Sequence, residues 1–199
     1  MSRFAAFALV LLLAACGPAM VTADVTRFSQ SPAAATPHRF TILPDAGQTG
    51  SLEFQHYAEL VANQLVGRGW TPVPASGDAD AVVTLHWGLG PPQTITWEEP
   101  AILYGGAGPW YDGGLAGPFP YWDSYSETTW AKWLAVTILD GPAWRRHEKQ
   151  PFFEGRAVTQ GSLPVVNPAL PALVTALFTG FPGANGRTIE VTVPLEPKT

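Results

Sequence analysis

Residues 80–87 read Asp80-Ala81-Val82-Val83-Thr84-Leu85-His86-Trp87. In an extended chain Ala81, Val83, Leu85 and Trp87 fall on one side, and Val82, Thr84 and His86 on the other. Apolar and β-branched residues at a period of two predict a strand with one side in a core. Such a strand needs a cover on its apolar side, and the flanking sequence decides what that cover is.

Upstream, Ser51 is placed to cap a helix over 51–66. Phe54, Tyr57, Val61 and Leu65 form its apolar stripe, joined by Ala58 and Leu60. Glu53 sits in the first turn, where the helix dipole favours a carboxylate. Gly67-Arg68-Gly69 supplies stop chemistry. Before that helix, Phe40-Thr41-Ile42-Leu43 predicts a short strand stopped by Pro44, and residues 31–37 a Pro-bounded loop. Val21, Ala23 and Val25 alternate with Thr22, Asp24 and Thr26 in a half-buried strand.

Downstream, Pro91-Pro92 is expected to break the strand, which resumes over 94–97. Residues 130–139 predict another strand, and Asp140-Gly141-Pro142 a turn. Residues 152–159 predict a further strand. Asn167-Pro168 is expected to start a second helix, with Asn as cap and Pro in the first turn. Its buried stripe is Leu170, Leu173, Val174, Leu177, Phe178 and Phe181, and Gly180 and Pro182 end it. Ile189, Val191 and Val193 mark a last strand. The chain has no internal repeat. The fold class expected is α+β: a mostly antiparallel sheet with two helices packed on one face, plus a long Gly/aromatic-rich loop. Long βαβ alternation is missing, which argues against a doubly wound sheet.

Composition agrees with one folded unit over residues 21–199. The chain has 199 residues, a net charge of −5, 46% hydrophobic and only 14% charged residues, a balance too apolar for disorder. It lacks the basic excess of a nucleic-acid binder. A single cysteine excludes an intramolecular disulfide and a thiolate-rich zinc site.

The N-terminus reads as an address. Met1-Ser2-Arg3 is a short positive region, followed by an apolar run over residues 4–13. Ten helical residues rise about 15 Å, half of a bilayer core, so the run is a signal h-region rather than a span. Leu13-Ala14-Ala15-Cys16 then resembles the bacterial lipobox. That resemblance implies cleavage of a signal peptide over 1–15, lipidation of Cys16, and a tether over 16–20. Acyl chains on Cys16 would anchor the chain in a membrane, at about 0.8 kcal/mol per buried methylene. The residue after the cysteine is Gly17 rather than Asp, which in lipoproteins of this type implies the outer membrane, facing the periplasm.

Residues 104–125 hold six Gly, three Pro and seven aromatics, with Trp110-Tyr111 and Tyr121-Trp122 as adjacent pairs. Loops of this length inside a domain are uncommon and often functional. Aromatic faces beside Gly and Asp suit a sugar ring, a peptide or a partner protein; the alternative is a loop that buries its own rings. No basic residue occurs from Ile102 through Trp130, so the rings are not a nucleic-acid platform.

Catalytic and metal chemistry is sparse. His38, His56, His86 and His147 lack ligand spacing. Glu98 and Glu99 are adjacent on a strand and so diverge. A hydrolase using Glu98 or Asp140 is the weakest reading. The Gly clusters at 88–90 and 105–108 complete neither a dinucleotide fingerprint nor a phosphate loop. Arg145, Arg146, His147 and Lys149 form the one basic cluster, either a solvated turn or a weak contact with anionic headgroups. No metal, cofactor or catalytic residue is expected.

Several segments together resemble the domain-of-unknown-function 4136 family of bacterial lipoproteins: Phe40-Thr-Ile-Leu-Pro44, Gly67-Arg-Gly-Trp70, Asp78-Ala-Asp-Ala-Val-Val83, Leu134-Ala-Val-Thr-Ile-Leu-Asp140, Phe153-Glu-Gly155 and Phe181-Pro-Gly-Ala-Asn-Gly186. The family often has Trp where this chain has Phe153. The resemblance implies a fold and lends no catalytic residue. The expected function is a non-enzymatic binding or envelope-assembly domain, anchored to the membrane through Cys16. It would engage an envelope protein or glycan through Trp110, Tyr111, Tyr121 and Trp122. The second expectation is a carbohydrate-binding module for peptidoglycan or lipopolysaccharide sugars.

Overall fold

The computed structural model describes residues 19–30, 33–75, 78–103 and 119–195. Within them one sheet contains β1 (Met20–Ser29), β2 (Arg39–Ile42), β3 (Thr71–Pro72), β4 (Ala81–Leu103), β5 (Phe119–Asp140), β6 (Pro151–Gly161) and β7 (Thr188–Pro194). The α-helices among the described residues are α1 (Leu52–Val66), α2 (Gly141–Arg145) and α3 (Leu170–Phe178). The α+β class holds. α2 is a helix where the sequence suggests a turn: Asp140 caps it, its carboxylate accepting from the Ala143 N–H at 2.7 Å.

The strand order is β3-β2-β4-β5-β6-β1-β7. The sheet is mixed: antiparallel pairs predominate, as expected, and β2 supplies the parallel ones. β2 runs parallel to both β3 and β4, while the β4–β5, β5–β6, β6–β1 and β1–β7 pairs are antiparallel. The reason is connectivity. The chain leaves β2, crosses the sheet as α1, and returns to pair with β2 in the same direction.

The core lies on one side of the sheet. Ala81, Val83 and Leu85 of β4 meet Leu134, Val136 and Ile138 of β5, Phe153 and Ala157 of β6, and Ala23 and Val25 of β1. α1 contributes Phe54, Tyr57, Val61 and Leu65 to the same cluster, and α3 contributes Leu170, Leu173, Val174, Leu177 and Phe178. Both expected stripes therefore face the core, with Ala58, Leu60 and Phe181 partly buried at its margin. Ser51 caps α1, its hydroxyl accepting from the Phe54 N–H at 3.2 Å. Gly69 closes the helix with φ +85°, a conformation that favours glycine. Asn167 does not cap α3. A 3-10 turn over Asn167–Ala169 feeds directly into the helix, and no side chain caps either element.

The C-terminal end of α3 is held by a buried cation. Arg27 of β1 is 2% exposed. Its guanidinium donates to the carbonyls of Leu177 at 2.8 Å, Ala176 at 3.0 Å and Thr179 at 2.7 Å. Arg68, just beyond α1, donates to the Phe178 carbonyl. Positive charge at a helix C-terminus also complements the dipole. Burial, and secondarily the neighbouring Arg68, holds the Arg27 pKa below its ordinary value. Gly183 (φ +79°) makes room, because a Cβ there would stand 2.7 Å from Arg27 Nη1. Arg27→Met should lower stability by roughly 3 kcal/mol through orphaned carbonyls. Urea unfolding should show a lower midpoint with an unchanged m-value.

Candidate functional site

β4 and β5 are much longer than their neighbours, and this excess builds the candidate site. β2 pairs with β4 only as far as Val83, and β6 pairs with β5 only from Trp130 onward. Beyond those limits β4 and β5 have only each other, paired from Pro92↔Trp130 to Leu103↔Phe119. They form a two-stranded arm about 40 Å long at ~3.4 Å per residue. Its residues are almost all exposed on both sides.

The sequence predicts a strand break at Pro91-Pro92 and a loop over 104–125. The structure corrects the first, and the second over residues 119–125; residues 104–118 lie outside the described residues. The chain runs as one strand through the prolines, with a register shift between Leu89 and Pro92. Proline is tolerated at a bulge on an open edge, where the missing N–H breaks no ladder. Residues 119–125 are strand rather than loop. Trp110, Tyr111 and Cys16 lie outside the described residues, as do the signal and lipobox segment and the Gly cluster at 105–108.

Because Tyr121 and Trp122 are neighbours on a strand, they cannot form one surface; they occupy opposite faces of the arm. One face carries Trp97 opposite Tyr125, Tyr121 opposite Ala101, Ile95 opposite Glu127, and Glu99 opposite Asp123. The other carries Trp122 opposite Pro100, above the hydroxyl rungs Thr94–Thr128 and Thr96–Ser126, each 2.8 Å between oxygens. Trp122 is 69% exposed, more open than Trp97, Tyr121 or Tyr125. Trp97 and Tyr125 escape a reading by composition alone. Treating 94–97 and 122–128 as paired strands would place the two rings opposite each other.

The arm is acidic. Its described residues include Glu98, Glu99, Asp123 and Glu127, with no Lys or Arg. Tyr125 donates to the Asp123 carboxylate at 2.9 Å, and that hydrogen bond, then the charge of Asp123, raises the phenol pKa. The root of the arm is fixed to the core. Glu53 of α1 accepts from the Trp87 indole N–H at 3.2 Å and from the Tyr57 hydroxyl at 3.0 Å. The Tyr57 and Trp87 rings meet edge-on at 4.8 Å. Gly88 lies under the Trp133 ring, 3.0 Å from where a Cβ would stand.

The remaining candidates are structural among the described residues. Asp140 is engaged as the α2 cap, and Glu98 and Glu99 diverge on the arm. His38 contacts the Ala33 carbonyl and the Trp70 ring. His86 pairs with Asp45 at 3.2 Å on the surface. The basic cluster is largely neutralised: Arg145 pairs with Asp78 at 2.9 Å and Arg146 with Glu148 at 2.9 Å. A cleft of about 580 Å³ beside it is lined by Thr41, Val82, Trp144, Arg145, His147 and Lys149 among others, with no carboxylate among its described lining residues. No group of three His, Cys, Asp or Glu residues among those described converges as a metal site. No helix among them is long and apolar enough to cross a membrane.

No family model matches the sequence, and no curated protein matches it. Solved structures with a similar backbone include a PDZ domain protein from Parabacteroides distasonis ATCC 8503, with TM-score 0.46 and 13% identity. That match covers 97% of this chain, which spans 43% of the other protein's length. They also include the PelC dodecamer from Paraburkholderia phytofirmans, with TM-score 0.38 and 13% identity over 79% of this chain and 93% of that one.

A two-stranded ribbon without a sheet beside it is marginal in water. Hydrogen exchange should therefore separate the two halves of β4. Amides over 94–102 are expected to exchange at least tenfold faster than those over 82–86. Equal protection along the strand would mean that the arm is covered in solution.

Proposed function

We propose that this is a non-enzymatic, lipid-anchored envelope protein that uses the β4–β5 arm to hold a partner protein. One observation supports this reading above the others: an arm of about 40 Å, by strand rise, that presents aromatic rings on both faces and two open backbone edges. Exposed rings and open edges are chemistry that association satisfies, by ring packing and by strand addition. Four carboxylates without a cation give the arm a sign, so the partner surface is basic, with Lys or Arg set over Trp97, Tyr121 or Tyr125.

The anchor is Cys16, in the lipobox-like segment, and the place is the periplasmic side of the outer membrane. The resemblance to the domain-of-unknown-function 4136 lipoproteins supports the same placement. Cys16→Ser should abolish incorporation of labelled palmitate and release the protein from the membrane fraction. Persistent labelling would remove the anchor from the proposal.

The second reading is a carbohydrate-binding module. Trp97 and the two tyrosines beside carboxylates on one face suit a pyranose ring. The acidic balance of the arm opposes it for the anionic glycans of the envelope, so the protein partner stands first.

Photo-crosslinking in intact cells decides between them, with the probe placed in turn at Tyr125 and Trp122. Discrete protein adducts at either position are expected. Trp97→Ala with Trp122→Ala should remove them while the unfolding midpoint shifts little, because both rings are exposed in the free protein. Retention on purified sacculi without protein adducts would instead favour the glycan reading.

A further inference from the structure

Lys132 of β5 stands apart from every other cation in the described structure. It lies on the helix side of the sheet, two residues before Leu134, and is only 7% exposed. It forms no hydrogen bond or ion pair among the described residues. Its ammonium lies over Gly161, where an added Cβ would stand 2.6 Å from Nζ. Burying an ammonium without an anion is costly. A methionine would fill the same space without that cost.

Lys132 lines a pocket of about 510 Å³ between the start of β1, the end of β6 and the entry to α3. The pocket exists because β1 leaves β6 at Asp24↔Val158 and continues beside β7 alone. Leu163, Pro168, Ala169 and Leu195 supply apolar wall, together with Met20 and Val158. No buried polar side-chain atom among the described residues is sealed without a partner, so the residual exposure of the Lys132 ammonium opens into this space.

Asp24 and Glu190 border the same pocket. They face each other directly across the β1–β7 pair, and neither has an ion-pair partner among the described residues. Strand alternation puts them on the face opposite Ala23 and Val25, so they stand at the far mouth of the gap between β1 and β6. Like charges placed so are mutually repulsive, and together they oppose a second negative charge on anything that enters.

We propose that this pocket is a binding site for an aliphatic monocarboxylate, its carboxylate on Lys132 and its chain against Leu163, Ala169 and Leu195. One ammonium matches one carboxylate, and the apolar walls match an alkyl body. A second carboxylate would meet either those walls or the field of Asp24 and Glu190. The site is separate from the arm and does not depend on the reading proposed for it.

Titration of the full chain in lipid nanodiscs, with empty nanodiscs as the blank, tests this with hexanoate, hexanol and adipate. Hexanoate should bind at least tenfold more tightly than hexanol, and adipate more weakly than hexanoate. Lys132→Met should erase the preference for hexanoate over hexanol. Asp24→Asn with Glu190→Gln should narrow the gap between adipate and hexanoate. Equal affinity for hexanoate and hexanol on the unmodified protein would overturn the proposal, whatever the folding of the variants. So would undiminished hexanoate binding by a folded Lys132→Met protein.

Discussion

The β4–β5 ladder is the constraint on which the rest of the structure depends. Its inner half, from Ala81↔Asp140 to Leu89↔Lys132, is the centre of the sheet. β2 joins one side of it and β6 the other, and the inward residues of both strands form the floor on which α1 and α3 rest. Its outer half uses the same backbone hydrogen bonds with no layer above or below among the described residues. One pairing thus carries two regimes. Burial fixes the register in the inner half, since a slip of either strand by one residue would turn Val83 or Val136 out of the core. The outer half inherits that register across the irregularity between Leu89 and Pro92, and so Trp97 stands opposite Tyr125.

What keeps the inner half rigid enough to support a lever is polar as well as apolar. Glu53 accepts two hydrogen bonds at the root of the arm, from Trp87 and Tyr57. Burial, followed by the hydrogen bond and charge of Glu53, pushes the Tyr57 hydroxyl well above the ordinary phenol range. Toward the other edge of the sheet, Arg27 ties β1 to the last turn of α3 through three carbonyls. A helix end buried without such partners would leave its carbonyls unpaired. A hydrophobic residue at position 27 could fill the volume and still fail to satisfy them.

Much of this is legible in the residues. The period-two pattern at 81–87 and the stripes of α1 and α3 report burial, and burial is what they reveal. The parallel placement of β2 is not legible, because Phe40-Thr-Ile is too short to show how it pairs. Its direction comes from the crossover made by α1. The arm reads as a strand fragment and a loop because Thr94-Ile-Thr-Trp97 and Tyr121-Trp-Asp-Ser-Tyr125 carry no buried side to mark them. An exposed ribbon has no hydrophobic period to detect. The prolines at 91–92 reinforce the misreading, since a proline can mark an open edge or a bulge as well as the end of a strand. Lys132 is overlooked for the opposite reason: a lysine among β-branched and aromatic residues reads as solvent-facing, although its spacing of two from Leu134 sets it on the inward side.

Charge is distributed as unevenly as burial. The chain has 11 Lys and Arg against 16 Asp and Glu, and the described cations are largely committed inside the domain. Arg27 and Arg68 serve α3, Arg39 and Arg145 serve Asp78 and Asp80, Arg146 serves Glu148, and Lys132 is buried. The carboxylates of the arm have no such partners among the described residues; Asp123 alone accepts from a side chain, that of Tyr125. Much of the uncompensated negative charge is thus concentrated on the element that extends furthest from the core. A field arranged in this way repels other copies of the same arm and attracts a cationic surface, raising the rate of productive encounter most at low salt. Side-by-side pairing of identical arms would bring carboxylates together along both open edges. Along both exposed edges of the ribbon, the carboxylates that the proposed basic partner would meet therefore also oppose pairing between copies.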